Sequence, residues 1–203
     1  MLTREKEINI MNNQITIQKE NILNAYNQAS GEQKSLLENL FGKDMFQPHD
    51  IKERVKTFDD ACNELGDKHP LVSQYYRAFA AFNCEVMTKE LFAYLKLRII
   101  CAALNEGWKP TFDKEEHRYY PWFYIYTKDE YEELVEDNKK ACRVVGRSSS
   151  NAVAGGGLVF AYASNASSGS NSYSGSRLAF KTRDLAEYCG KQFIDIWVDF
   201  LFM

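Results

Sequence analysis

The residues here whose types and spacing suit chemistry are aromatic. Trp108 precedes a short segment into which Tyr119, Tyr120, Trp122, Tyr124 and Tyr126 are crowded. As a strand, that segment places Trp122, Tyr124 and Tyr126 on one face and Phe123 and Ile125 on the other, because successive side chains alternate. One face is expected to meet helices. An open second face would stack flat ligands such as single-stranded bases or sugars, with Arg177 and Lys181 supplying cations from a neighbouring strand. The competing reading packs the same rings under a terminal helix, with the tyrosine hydroxyls reaching the surface. Solvent exposure of the outer face of the 119–126 strand decides between the two.

Other groups point to chemistry more weakly. Gly155-Gly156-Gly157 suggests a phosphate loop, but such a loop ends in Gly-Lys-Ser/Thr and opens a helix. Here the glycines run into Leu158-Val159-Phe160, which reads as a strand with a tight entry or bulge. His49, His69 and His117 lie far apart, and Glu115-Glu116-His117 reads as a solvated loop. Asp195 and Asp199 share a helix face at i,i+4 and would suit a metal, yet they lie opposite the apolar stripe and read as a solvated face. The serines at 148–150 and 164–176 have no base or strained elbow nearby and read as linker. Cys62, Cys84, Cys101, Cys142 and Cys189 form no CxxC, so they read as buried free thiols in a reducing compartment. No catalytic residue, metal ligand or cofactor is expected, and hence no enzyme.

The elements that must position the rings are legible in outline. Residues 1–46 read as helical, with a capping box at Ser30/Gln33, an apolar stripe of Leu36, Leu37, Leu40 and Phe41, and a stop at Gly42. Pro48 marks a joint. Thr57 caps a helix ending at Leu65-Gly66. Residues 73–105 read as helix, with a break near Asn83 or Thr88. After the 119–126 strand, started by Pro121, Thr127/Glu130 opens an acidic helix to about Asn138. Cys142 to Val145 reads as a brief strand, 158–162 as another and 177–181 as its returning partner. Thr182 then caps one helix whose face is Leu185, Cys189, Phe193, Ile196, Trp197 and Phe200. The predicted class is α+β: N-terminal helices, then a small antiparallel sheet of three or four strands packed by a C-terminal helix. The predicted division is a helical segment, 1–46, and an α+β domain, 47–203, with a flexible Gly/Ser-rich loop at about 164–176.

Composition narrows the function classes. The chain has 203 residues, 25 basic and 28 acidic, for a net charge of −3. No stretch concentrates Lys and Arg as duplex-DNA binding requires. The start lacks an apolar signal core, and the longest apolar run, residues 99–104, is far short of the ~20 residues that span a bilayer. A cytoplasmic location without a membrane partner is expected. The last residues, Phe200-Leu201-Phe202-Met203, are unusually apolar for a terminus, so they are expected to pack or to form an interface.

Several segments together carry a resemblance. They are Val55-Lys56-Thr57-Phe58-Asp59-Asp60-Ala61-Cys62; Leu104-Asn105-Glu106-Gly107-Trp108-Lys109-Pro110 with Tyr119-Tyr120-Pro121-Trp122-Phe123; and Ser176-Arg177-Leu178-Ala179-Phe180-Lys181-Thr182 with Leu185-Ala186-Glu187-Tyr188-Cys189-Gly190-Lys191-Gln192-Phe193. The set resembles an uncharacterised protein family of gut anaerobes, their mobile elements and their phages, over most of the chain. The segment from Leu36 to Gly42 is similar to that family's leader. The resemblance implies a phage or mobile-element setting, with virion association as an alternative location, and implies no mechanism. Where family members have a glycine- and aromatic-rich strand pair at 146–175, this chain is richer in serine and alanine. The expectation is a non-enzymatic binding or structural protein that self-associates or takes a protein partner. The alternative is a single-stranded nucleic-acid-binding protein using the aromatic sheet face, against which the acidic net charge weighs.

Overall fold

The computed structural model describes residues 17–81, 89–111, 113, 115–145, 155–167 and 178–202. The chain divides into two compact units, Met1–Pro48 and His49–Met203.

In the first unit, α1 (Lys19–Gln28) and α2 (Gly31–Phe41) are followed by a 3-10 turn at Lys43–Met45. The Ser30 amide donates to the Gln33 side chain at 2.9 Å, and Gly42 ends α2 at φ 84°, a conformation that suits glycine. Tyr26 stacks on Phe46 at 4.1 Å and donates its hydroxyl to Glu38 at 2.6 Å. Leu36 and Leu40, part of the expected apolar stripe, are exposed.

The second unit is built around one helix. Its helices before the sheet are α3 (Ile51–Arg54), α4 (Phe58–Leu65), α5 (Pro70–Ala81) and α6 (Lys89–Leu104). α6 buries Leu95, Leu97, Ile99, Ile100, Cys101, Ala103 and Leu104. A helix apolar on nearly every side must be surrounded, and α4 and α5 pack against it. α4 starts as expected: Thr57 Oγ1 accepts the Asp60 amide at 3.1 Å, and Asp60 returns the bond to the Thr57 amide at 2.9 Å. α5 begins at Pro70, earlier than the expected 73. Proline's fixed φ and missing N–H suit the first helical position, and His69 Nδ1 accepts the Leu71 amide at 3.3 Å. The break expected near Asn83 or Thr88 lies outside the described residues.

The sheet is antiparallel, three-stranded and ordered β1-β3-β2, from β1 (His117–Tyr126), β2 (Arg143–Val144) and β3 (Gly157–Ser167). Two short helices, α7 (Lys128–Glu133) and α8 (Glu136–Ala141), lie between β1 and β2 in the chain. α9 (Arg183–Gln192) and α10 (Ile194–Phe202) complete the fold, α9 against β1 and β3, α10 chiefly against α6. On the sheet's inner face Phe123 meets Trp197 at 5.4 Å, and Gly190 sits against Pro121 and Phe160. The class is α+β, as expected.

Four details differ from the sequence reading. β1 starts at His117, ahead of Pro121. The acidic segment forms two helices, because the chain is extended at Leu134 and Val135. The last helix breaks at Phe193 (φ −111°, ψ 28°), although its apolar stripe stays continuous in the core. The returning strand at 177–181 is replaced by a single bridge, Phe180 to Tyr119, on the far edge of β1 from β3. Phe180 gives both its backbone groups to Tyr119; the next pair along would set Leu178 opposite Pro121, which has no N–H, and the next the other way reaches Thr182, the cap of α9. The edge facing away from β1 is taken by buried Asn105 at the end of α6, which donates to the Ala179 carbonyl at 2.8 Å and accepts the Lys181 amide at 3.0 Å. Of the expected loop at 164–176, residues 164–167 belong to β3 and the rest lie outside the described residues.

Candidate binding face of the sheet

Alternation along β1 directs Tyr120, Trp122, Tyr124 and Tyr126 away from α9 and α10. Trp122 is 49% exposed and Tyr124 57%, while Tyr120 and Tyr126 at the flanks are half-buried. Tyr162 of β3, 47% exposed, stands directly opposite Trp122, and the two rings stack with centroids 6.2 Å apart at 21°. Such cross-strand aromatic pairs stabilise a sheet locally. This pair also holds two flat surfaces side by side, facing solvent.

The position of Tyr162 depends on a bulge. Trp122 pairs with Tyr162 and Phe123 with Phe160, so Ala161 is the extra residue on β3. Without it, Tyr162 would share a face with Phe160 and Leu158, which point inward. Sequence reasoning therefore missed Tyr162. Strict alternation leaves no trace of a bulge at an ordinary alanine.

The glycine run is a tight strand entry. Gly155 has φ 84°, and a Cβ on Gly156 would stand 2.0 Å from the Tyr126 carbonyl. A Cβ on Gly157 would stand 2.8 Å from the Tyr131 ring, which closes the outer face at that end.

The other expected site residues lie elsewhere. Tyr119 points inward, beneath the Arg183 guanidinium at 5.7 Å. Trp108 follows α6, donates its indole N–H to Glu116 at 3.1 Å, and lines a small separate cleft with Arg98 and Lys109. Lys181 is not on a strand next to the rings; its ammonium pairs with Glu106 at 2.8 Å. Arg177 lies outside the described residues. The outer positions 120, 122, 124, 126, 159, 162 and 164 carry no charged side chain; Arg118, which alternation places on the same face, is buried.

The charges that are present do other work. Glu106 receives Lys181 and, at 3.0 Å, Arg54, which also pairs with Glu64. Lys181 first, then Arg54, hold the Glu106 carboxyl below its ordinary range. Asp195 pairs with Arg143, whereas Asp199 lines a cleft between helices, so the suggested metal pair is divided. Among the described residues no three His, Cys, Asp or Glu side chains gather as metal ligands. Burial, with Cys189 beside it, pushes the Cys101 thiol well up, away from the reactive thiolate. Of the apolar last residues, Phe200 packs against Tyr94 at 5.9 Å and Trp197 at 6.0 Å and Phe202 against the core, while Leu201 is exposed and Met203 lies outside the described residues. No described helix is long and apolar enough to cross a membrane. Comparison with family models, with curated proteins and with solved structures found no match.

Proposed function

We propose that this is a non-enzymatic binding protein that self-associates through the outer aromatic face of its sheet, in the phage or mobile-element setting that the sequence resemblance implies. The observation supporting it is the half-exposure of Trp122, Tyr124 and Tyr162 on one face, with no exposed charge at the positions between them. Large aromatic side chains bury about 150–250 Å² each, so three half-exposed rings offer roughly 300 Å². That is at the lower end of the largest apolar patch on a typical monomer, a patch that is often functional. Covering it yields about 7 kcal/mol at ~25 cal/mol per Å². This is of the same order as the freedom lost on association. The partner must therefore add apolar surface of its own, as a second copy does, and the contact is weak and concentration-dependent.

Sedimentation across a dilution series tests this directly. The wild type should show mass rising with concentration, and Trp122→Ser with Tyr162→Ser should abolish the rise while the melting temperature stays close to the parent's. A wild-type mass that is constant and monomeric up to roughly millimolar protein, where even a weak contact of about −4 kcal/mol is populated, would remove the proposal. The nucleic-acid reading uses the same rings, but the cation that alternation places on their face, Arg118, is buried. Backbone neutralisation dominates such binding, so an unstructured oligonucleotide at low salt should leave Trp122 emission unquenched.

A further inference from the structure

Away from the sheet, a cleft of about 300 Å³ opens where α5, α6 and α10 meet, lined by Tyr75, Phe79, Lys89, Phe92, Lys96 and Asp199. Its walls are rings. Phe79 and Phe92 meet edge to face at 5.8 Å and 72°, and Tyr75 closes the group at 6.1 Å from Phe92 and 6.3 Å from Phe79. Phe79 remains 51% exposed, so a large apolar surface looks into the opening. Lys89, Phe92 and Lys96 recur at helical spacing on one face of α6, which brings both lysines and the Phe92 ring to the cleft. Lys96 is half-buried and its ammonium lies 5.5 Å over the Phe58 ring. Asp199 reaches the same cleft from α10. Among the described residues, no ion pair joins Asp199 to either lysine.

Isolated surface lysines need no explanation. Two lysines and a carboxylate converging on an open aromatic cleft, without pairing with one another, describe a recognition pattern: an apolar wall of angled rings with groups of both charges at its edge. Ligand sites of this size are mostly apolar with a few polar groups fixing orientation. We propose that the cleft binds a small single-ring carboxylate that also carries an amino group. The ring lies against Phe79 and Phe92, the carboxylate meets Lys89 and Lys96, and the ammonium faces Asp199.

Three probes sharing one ring separate the contributions: L-phenylalanine, phenylacetate and phenethylamine, titrated into the full chain by amide NMR. Phenylalanine should bind best, phenylacetate next and phenethylamine least, with shifts at Lys89, Phe92 and Lys96. Lys96→Met keeps the aliphatic stem and should weaken phenylalanine and phenylacetate about tenfold, the scale of a charge-assisted contact. Asp199→Asn should weaken phenylalanine and phenethylamine and leave phenylacetate unweakened. Trp122→Ser, on the sheet face, should change nothing, which keeps this site independent of the self-association proposal. Equal binding of all three probes, no effect of either variant, or no shifts up to about 10 mM, well above the millimolar range of weak ligands, would overturn it.

Discussion

Replacing Gly190 with alanine tests how the sheet is oriented, and the expected sign runs against helix propensity. Gly190 lies inside α9, where glycine to alanine ordinarily gains about 1 kcal/mol. Here a Cβ would stand 2.5 Å from Phe160 Cδ2, 2.9 Å from Phe160 Cε2 and 2.8 Å from Pro121 Cβ. Carbon atoms at rest sit about 3.5–4.0 Å apart, so roughly 1 Å must be found. The Phe160 ring can turn. Pro121 cannot, because its ring is fused to the β1 backbone. α9 must therefore lift, and it carries Leu185, Ala186 and Cys189 into the core. Overpacking of this kind costs about 1–3 kcal/mol. With contacts on two sides the upper end applies, leaving a net loss of about 2 kcal/mol after the propensity gain. Urea unfolding should show a midpoint lower by about 1 M, taking a slope of about 2 kcal/mol per M. Gly31→Ala is the matched comparison: nothing lies within 4 Å of its added Cβ, so its effect should stay within about 0.5 kcal/mol. If Gly190→Ala is as stable as the parent, α9 does not rest on Pro121 and Phe160. The assignment of inner and outer faces then fails, and with it the open aromatic face.

Two further outcomes follow from polar groups. Asn105→Ala strands the Ala179 carbonyl and the Lys181 amide in a buried place, so it should cost about 2–4 kcal/mol at ~1–2 per lost partner, and amide exchange at Lys181 should accelerate; unchanged exchange would contradict the role given to Asn105. Glu106, held below its ordinary 4.5 by Lys181 and Arg54, binds its proton less readily folded than unfolded. Its contribution is complete above pH 4.5 and is lost as pH falls through the lower folded value. Half-exposure keeps it small. Glu106→Gln should lower the neutral-pH urea midpoint slightly and flatten the acid decline; parallel declines in both proteins would contradict the coupling.

Where local chemistry dictates structure, the sequence was readable. Thr57, Thr127 and Thr182 each cap a helix because a hydroxyl three residues before a free amide needs no tertiary help. Gly42 and Gly66 end their helices at positive φ for a similar reason, whereas α6 is followed by Glu106 at φ 49° and only then by Gly107. The misreadings come from distant partners. The 177–181 segment has strand composition, but Pro121 offers no N–H where Leu178 would pair, and Asn105 takes the backbone groups on the other edge across the fold. Lys181 was expected among the rings by its place in the chain, and Glu106, at a helix end far away in sequence, claims it. The candidate face was half legible. Trp122 and Tyr124 follow from alternation, whereas Tyr162 depends on the one-residue slip at Ala161.

The division of the rings between core and surface has a topological cause. β3 is central, with β1 on one side and only two residues of β2 on the other. The long C-terminal connection brings α9 onto the inner face, and Trp197 of α10 reaches Phe123 there. The link from β1 to β2 supplies only α7 and α8, six residues each, with Tyr131 closing one end of the outer face. Helices that short cannot shield a strand of ten residues, since six helical residues extend about 9 Å and ten strand residues about 33 Å. An antiparallel sheet solvated on one side normally places polar residues there. This one places Trp122, Tyr124 and Tyr162 there, along the stretch that α7 is too short to reach, and a second aromatic face would cover them at no cost in buried charge.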